Sequence, residues 1–172
     1  MNLYLRLIFF RALSRRRSRL EMWDTAITPF RVAPSDLDLL GHVNNSKYLA
    51  IMDLARIDLL MRSGWWDRLR RQGWYPVVAG QTITYRKSLG FGQRFEVESQ
   101  LVGMDDRWFY VRQVFRSEGT VYAHAMVRTR FLKKSGGSVE HDEMGEFLGG
   151  FPEGLVVPDW VSPWTAATKD AV

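Results

Sequence analysis

One long helix, apolar nearly all the way round, limits the folds that are open to this chain. The pattern predicts a helix from Lys47 to about Ser63, with Asn44 or Asn45 as its N-cap and Gly64 at its end. Its apolar side chains share one face and also spread over the remainder: Tyr48, Leu49, Ala50, Ile51, Met52, Leu54, Ala55, Ile57, Leu59, Leu60 and Met61. A helix of this kind is buried on most sides, so the rest of the chain has to cover it.

Strand-like segments before and after the helix can supply that cover. Residues 77–86, 94–104, 108–117 and 120–132 are rich in Val, Tyr, Phe and Thr, and short turns between the last three predict antiparallel hairpins. A further strand, bent near Pro29, is expected within residues 23–32, and residues 65–75 form a loop or a short helix. The order of these elements predicts an α+β fold in which a five-stranded antiparallel sheet wraps around one long central helix.

The net charge of +5 is concentrated at the start of the chain. Residues 1–21 contain six arginines and one glutamate, a surplus of five positive charges that accounts for the whole net charge. Residues 22–172 are therefore balanced, which removes the main electrostatic support for nucleic acid binding by the domain. We expect a basic amphipathic extension at 1–21, a globular domain at 22–134 and an irregular tail at 135–172, whose Trp160 and Trp164 can pack back onto the domain.

The apolar run at residues 3–13 is interrupted by Arg6 and is too short to cross a bilayer core of about 30 Å. The arginine cluster follows this run, whereas a secretory signal carries its positive charge first, so a cytoplasmic location is predicted. One interpretation of residues 1–21 is an anchor that lies on the anionic inner membrane surface. The alternatives are a frayed tail, a helix at a dimer contact, or a true start at Met22.

Several common site types lack their sequence signals. The chain has no cysteine, and His42, His124 and His141 do not have the spacing of metal ligands, so we predict neither a metal nor another cofactor. No G-x-S-x-G elbow and no Walker or Rossmann glycine pattern is present. These absences argue against an α/β-type serine hydrolase and against the common nucleotide-binding folds.

Acidic and amide residues are concentrated in residues 36–45, immediately before the predicted helix. The start of a helix offers unpaired N–H groups and a positive dipole end, which can stabilise an oxyanion. A carboxylate beside it can act as nucleophile or as general base on water. A thiolate, with a thiol pKa of about 8.5, leaves without a strong acid, so these groups suffice for thioester hydrolysis. The competing interpretation is that the aspartates and asparagines only cap the helix and that His42 is structural.

A motif in this segment resembles a known family. The string Asp36-x-Asp38-x-x-Gly41-His42-Val43-Asn44-Asn45-x-x-Tyr48, followed by Ala55-Arg56, resembles the signature of the hotdog-fold thioesterase superfamily, in its 4-hydroxybenzoyl-CoA thioesterase-like branch. Residues 85–89 and 103–110 are similar to the thioesterase-superfamily member six group. The resemblance covers residues 23–132. It implies a hotdog fold, hydrolysis of an acyl-CoA to a free acid and CoA, and a homodimer or homotetramer joined through sheet edges.

The resemblance also implies roles for particular residues. Asp38 corresponds to the catalytic carboxylate, as base or nucleophile, and the backbone N–H of Asn45 corresponds to the group that polarises the thioester carbonyl. His42 is a further catalytic candidate to which the family gives no fixed role. Substrate contacts are expected from Gly41, Val43, Asn44 and Tyr48. Apart from the resemblance, the surface charges of Arg86 and Lys87 could hold CoA phosphates, and the competing interpretation is that exposed charges at strand ends only aid solubility.

Three alternatives stay open on the sequence. Asp53 is a second candidate carboxylate, because another hotdog lineage uses a carboxylate on the helix, although a structural ion pair with Arg56 competes with that role. A non-catalytic hotdog protein, serving as an acyl-group binder or a membrane-surface scaffold, would use Asp38 only as a cap. A hotdog dehydratase is a weaker option, because its characteristic Asp and His spacing is missing.

Overall fold

One antiparallel sheet forms the frame of the fold in the computed structural model, which describes residues 17–150 and 153–169 of the chain. Its strands are β1 (Ala26–Arg31), β2 (Trp74–Tyr85), β3 (Arg94–Met104), β4 (Phe109–Ser117) and β5 (Thr120–Lys133). They lie in the order β1-β3-β4-β5-β2, and every neighbouring pair is antiparallel. The edges of the sheet are therefore β1 and β2, which come from distant parts of the chain.

The central helix, α1 (Asn45–Arg62), lies on the inner face of this sheet. Met52 and Ala55 of the helix are fully buried in the same core cluster as Val97, Phe115 and Val127, which come from three strands. These side chains form an apolar core because alternate residues of each strand point to the helix. The predicted hotdog arrangement, with one sheet wrapped around one long helix, is confirmed.

A second helix, α2 (Trp65–Gln72), follows α1 and resolves the choice between a loop and a short helix for this segment. Gly64 joins the two helices with a φ of 74°, a left-handed conformation that favours glycine. Within the described part of the chain, no helix has both the length and the apolarity that are needed to cross a membrane.

The prediction of an irregular tail at 135–172 was wrong for two segments, which form α3 (His141–Leu148) and α4 (Val161–Lys169). Short helices are marginal on their own and become stable when an apolar face is buried. Met144 of α3 enters the main core, whereas Val161 of α4 is buried with Trp108 on the outer face of the sheet. Glycines in this region end a helix rather than prevent one, since Gly149 caps α3 with a φ of 74°.

Residues 17–21, assigned on sequence to the N-terminal extension, are joined to the domain. The Arg17 Nη1 atom donates to Asp58 Oδ2 at 2.6 Å, and the Leu20 N–H donates to the Arg62 carbonyl at 3.3 Å. Asp58 also accepts a hydrogen bond from the Thr28 hydroxyl at 2.9 Å, and its side chain is fully buried. Residues of this segment are therefore in direct contact with the domain. Residues 1–16, which carry most of the anchor prediction, lie outside the described residues.

Candidate active site

The loop before α1 holds the carboxylate of Asp38 in place. Asp38 Oδ1 accepts hydrogen bonds from the backbone N–H groups of Leu40, at 2.9 Å, and His42, at 3.1 Å. The Asp38 N–H in turn donates to the His42 carbonyl at 2.8 Å, and the Gly41 N–H donates to the Asp38 carbonyl at 3.1 Å. Gly41 has a φ of 75°, so this tight turn needs a glycine. One carboxylate oxygen is fixed, and among the described residues no hydrogen bond occupies the other, Oδ2.

Contacts with a distant loop fix the position of this turn. The Val43 N–H donates to the Leu89 carbonyl at 2.9 Å, and His42 forms an isolated bridge with Gly90. The Asn44 N–H donates to the Asp36 carbonyl at 2.8 Å, which draws the start of the loop against the start of α1. Asp38 is therefore held between the helix N-terminus and the loop that follows β2.

The start of α1 is capped in a way that leaves one amide available. Asn44 is the N-cap, and its Oδ1 atom accepts hydrogen bonds from the Ser46 N–H at 2.9 Å and from the Ser46 hydroxyl at 2.7 Å. Asn45, the first residue of the helix, is exposed. No acceptor for its N–H occurs in the parts of the chain that the structure describes. This amide, at the positive end of the helix dipole, can donate to a developing oxyanion.

Other residues of the motif support the loop from the core. Val43 and Tyr48 are buried, and the Tyr48 ring lies 5.0 Å from that of Tyr85 and 4.9 Å from that of Phe115, between centroids. Burial raises the pKa of the Tyr48 hydroxyl, and a hydrogen bond with the Leu89 backbone partly offsets the shift. The side chains of Val43 and Tyr48 therefore pack in the core beneath the loop. Their predicted contact with substrate stays a prediction.

Like Asn45, the predicted polar site residues His42, Arg86 and Lys87 are exposed. The ring of His42 is exposed, and within residues 17–150 and 153–169 it forms no hydrogen bond, so His42 supports Asp38 through its backbone. Arg86 and Lys87 are exposed just after β2, where both backbone N–H groups donate to the Tyr122 carbonyl, at 2.8 Å and 3.1 Å. Arg86 and Lys87 come directly after β2, at the start of the loop that contacts His42 and Val43.

An apolar pocket lies away from this loop. It has a volume of about 460 Å³ and lies between the second half of α1 and the inner face of the sheet, next to the β2 edge. Its lining includes Asp53 and Arg56 together with apolar side chains of α1, β2, β3, β4 and β5, among them Leu54, Ile57, Leu60, Tyr75, Val78, Leu101, Phe109 and Phe131. Neither Asp38 nor His42 lines it. Within one chain, the candidate catalytic carboxylate of Asp38 therefore lies outside this apolar cavity.

Asp53 and Arg56 form the structural ion pair that the sequence suggested as one possibility. Arg56 Nη1 also donates to Gln113 Oε1 at 2.6 Å, and Gln113 Nε2 donates to the Met52 carbonyl at 3.0 Å and to Ser99 Oγ at 2.8 Å. Burial lowers the pKa of Arg56, and the charge of Asp53 partly offsets this. This network connects α1 to the sheet beside the cavity.

Gln113 and Ser99 were not among the residues predicted from the sequence. A signal for Gln113 was available, because it takes an inward position in the alternation Phe109, Val111, Gln113, Phe115, where a polar side chain needs a buried partner. That the partner is Arg56 depends on how the helix crosses the sheet. In the described residues, His, Asp and Glu side chains form no cluster of three that could bind a metal.

Comparisons with known proteins show which family the sequence matches. The sequence profile of the Thioesterase-like superfamily matches residues 32–165. Protein THEM6 of Xenopus laevis is 40% identical over 99 residues, which is 58% of this chain and 48% of the relative. The Long-chain acyl-CoA thioesterase FadM of Escherichia coli is 29% identical over 102 residues, which is 58% of this chain and 77% of the relative. The chain thus spans about half the length of the THEM6 relative.

The fold is also similar to that of solved structures. The crystal structure of YbaW from Escherichia coli, described as a probable thioesterase, superposes with a TM-score of 0.67 at 27% sequence identity. The superposition covers 72% of this chain and 96% of YbaW. Nearly the whole length of YbaW therefore shares the fold described above.

Proposed function

The chain belongs to the Thioesterase-like superfamily, and on that premise we propose that it hydrolyses an acyl-CoA thioester to the free acid and coenzyme A. The observation that carries the proposal is the state of Asp38, whose Oδ1 is held by two backbone amides while Oδ2 has no hydrogen-bond partner among the described residues. The relation to an acyl-CoA thioesterase of Escherichia coli supports the substrate class.

In the proposed reaction, the Asn45 N–H donates to the thioester carbonyl and stabilises the oxyanion as it forms. Asp38 either accepts a proton from the attacking water or attacks the carbonyl itself. In the first route, water adds to the carbonyl carbon, the C–S bond breaks, and the proton held by Asp38 goes to the thiolate. In the second, the thiolate leaves first, and water then hydrolyses the mixed anhydride on Asp38.

We further propose that the complete site forms in a homodimer. The β2 edge carries the exposed side chains of Tyr75 and Val78, and an open edge of this kind favours pairing. Two β2 strands related by a twofold axis run antiparallel, so the end of β2 near the Asp38 loop faces the start of the partner's β2. The partner's cavity opens there, beside Tyr75 and Val78. Leu39 and Leu40, which are exposed in the loop, would be covered by the same contact.

In this arrangement the acyl group lies in the cavity between α1 and the partner subunit, and the thioester reaches the partner's Asp38 loop. A homotetramer would consist of two such dimers. We also propose that the protein is cytoplasmic and that residues 1–21 bring it to the surface of an anionic inner membrane. The arginines of that segment and its apolar run support this contact.

A second candidate function is a non-catalytic acyl-group binder or membrane-surface scaffold. The observation in its favour is that Asp38 Oδ1 bonds to its own loop, as a purely structural turn residue does. One assay separates the two functions, namely steady release of free thiol from a panel of acyl-CoAs that runs from aromatic to long-chain. Turnover of at least one substrate supports the thioesterase. Saturable binding of an acyl-CoA without thiol release supports the binder.

A further inference from the structure

A second groove lies on the outer face of the sheet, opposite α1. It has a volume of about 470 Å³, and strands β4 and β5 form its floor. The segment that leads into α4 forms one wall. The lining of the groove includes three arginines, two apolar side chains of the floor and one tryptophan, namely Arg86, Arg112, Arg116, Val114, Met126 and Trp160. The cations stand around an apolar floor, and the lining contains no carboxylate.

Two of the three guanidinium groups in this groove have no carboxylate partner among the described residues. Arg116 Nε pairs with Glu98 at 2.8 Å, whereas Arg112 Nη2 donates to the neutral Gln100 Oε1 at 2.8 Å. Within residues 17–150 and 153–169, neither Arg112 nor Arg86 forms an ion pair. Guanidinium groups bind phosphate oxygens in a bidentate manner. The charge distribution therefore fits a phosphorylated ligand.

The wall of the groove presents an aromatic ring. Trp160 is 50% exposed and its ring centroid lies 6.2 Å from that of Trp164. The segment is fixed in place, because Val161 is fully buried and Arg128 Nη1 donates to the Thr165 carbonyl at 3.1 Å. A held, half-exposed tryptophan beside arginines offers a stacking surface for a nucleobase.

The groove is close to the candidate active site along the chain. Arg86 lines its end, and three residues later the Leu89 carbonyl accepts the hydrogen bond from the Val43 N–H. A ligand that has its reactive end at Asp38 and passes around the end of β2 reaches Arg86 first. Lys87, the neighbour of Arg86, does not line the groove.

We propose that this outer-face groove binds the phosphorylated adenosine end of the coenzyme A thioester. Arg86 and Arg112 contact the phosphates, and the adenine ring stacks on Trp160. The inference rests on the proposed function for its substrate. The proposed site lies on the opposite face of the sheet from the acyl cavity. The packing of α4 against the sheet would hold Trp160 in position for stacking.

The test compares two thioesters of the same acyl group, one on coenzyme A and one on N-acetylcysteamine, which has no nucleotide. For Arg112→Gln and for Trp160→Ala, we expect the ratio of kcat/KM values, coenzyme A over N-acetylcysteamine, to fall about tenfold, because one charge-assisted hydrogen bond or one stacked base is lost. The control is Arg70→Gln, which removes an equal charge from an exposed position on α2 and should leave the ratio unchanged.

A second readout does not require turnover. Adenosine 3′,5′-bisphosphate alone, titrated by calorimetry, should bind the wild type and the Arg70→Gln variant equally and bind Arg112→Gln about tenfold more weakly. An unchanged ratio in the first experiment, or equal binding by all three proteins in the second, overturns the inference. If the wild type hydrolyses neither thioester, the thioesterase proposal fails and the titration alone decides whether the groove binds the nucleotide.

Discussion

At the scale of single residues, the two interpretations of Asp38 are compatible. The hydrogen bonds from the Leu40 and His42 amides use Oδ1 and hold the carboxylate in one orientation. A group that performs chemistry benefits from such fixing, because its geometry is set before the substrate arrives. The capping bonds therefore leave the catalytic role of Oδ2 open to test.

The variant Asp38→Asn separates the two roles. An asparagine keeps an oxygen that can accept from Leu40 and His42, so the loop should persist and the thermal midpoint should change by only a few degrees. The loss of the carboxylate should reduce kcat by at least about a hundredfold. Steady-state kinetics with the best substrate of the acyl-CoA panel, beside thermal unfolding of the same preparations, measures both.

Asp53→Asn is the matched control, since Asp53 is the other carboxylate that the sequence suggested. Its side chain is 58% exposed and pairs with Arg56, so we expect kcat to stay within about threefold of the wild type. If Asp53→Asn instead loses activity while Asp38→Asn retains it, the catalytic carboxylate belongs to the helix, and the assignment to the loop is wrong.

At the scale of elements, the sequence predicted the parts of the fold that have long periodic patterns. The helix expected at 47–63 is α1, Asn45–Arg62, and the strand expected at 94–104 is β3, Arg94–Met104. The helices α3 and α4 were missed, because eight or nine residues with glycine and proline nearby carry little local signal. Their stability comes from burial of Met144 and Val161 against distant parts of the chain.

The candidate site likewise has a part that the sequence predicts and a part that it does not. The loop from Asp38 to Asn45 is contiguous, so its motif is visible in the sequence. The Leu89 carbonyl that holds Val43 and the Gln113 side chain that holds Arg56 lie 46 and 57 residues away along the chain. Their pairing depends on strand register and on the crossing of α1, which no local pattern specifies.

Gly103 of β3 lies against Val157, in the segment that leads into α4, and this close approach predicts the effect of a larger side chain. A Cβ atom at this position would lie 2.3 Å from Cγ2 of Val157, which is a short and stiff side chain. Gly103→Ala should therefore destabilise the protein by about 1–3 kcal/mol and should loosen α4. Urea unfolding gives the stability, and hydrogen exchange of the α4 backbone amides reports how firmly the segment is held.

The double variant Gly103→Ala, Val157→Ala tests the cause, because it removes the atom responsible for the clash. It should recover at least half of the lost stability relative to the Val157→Ala single variant. A double variant whose losses simply add would show that Gly103 is needed for another reason.

At the scale of the whole molecule, the proposed dimer predicts that the two sheet edges respond differently to a charge. Val78 on β2 and Ile27 on β1 are both 44% exposed, so they form a matched pair. Val78→Asp should shift the protein to a monomer at micromolar concentration. It should also abolish thiol release, because the partner no longer completes the site and because a carboxylate enters the acyl cavity that Val78 lines, so the mass decides where the interface lies. Light scattering with the activity assay measures both effects.

Ile27→Asp should leave the mass and the activity close to those of the wild type. A dimer that survives Val78→Asp but dissociates with Ile27→Asp would place the interface at β1. A wild-type monomer that hydrolyses acyl-CoA would contradict the shared site altogether.

The contact of residues 17–21 with the domain changes how the membrane proposal has to be tested. Deletion of residues 1–21 would remove Arg17 from the buried Asp58 and should cost about 1–3 kcal/mol of stability. Deletion of residues 1–16 removes four arginines and the apolar run and leaves that ion pair in place. The shorter deletion is therefore the one that separates membrane binding from folding.

We expect the full chain to sediment with anionic vesicles at low salt and to be released at high salt, since each basic residue near the surface contributes about 1 kcal/mol that salt screens. The chain without residues 1–16 should stay in the supernatant at both salt concentrations, with unchanged unfolding and thiol release. Neutral vesicles serve as the control for purely apolar binding. Equal partitioning of the two chains would reject the anchor. A loss of stability or of the dimer on this shorter deletion would instead assign residues 1–16 to the fold or to the subunit contact.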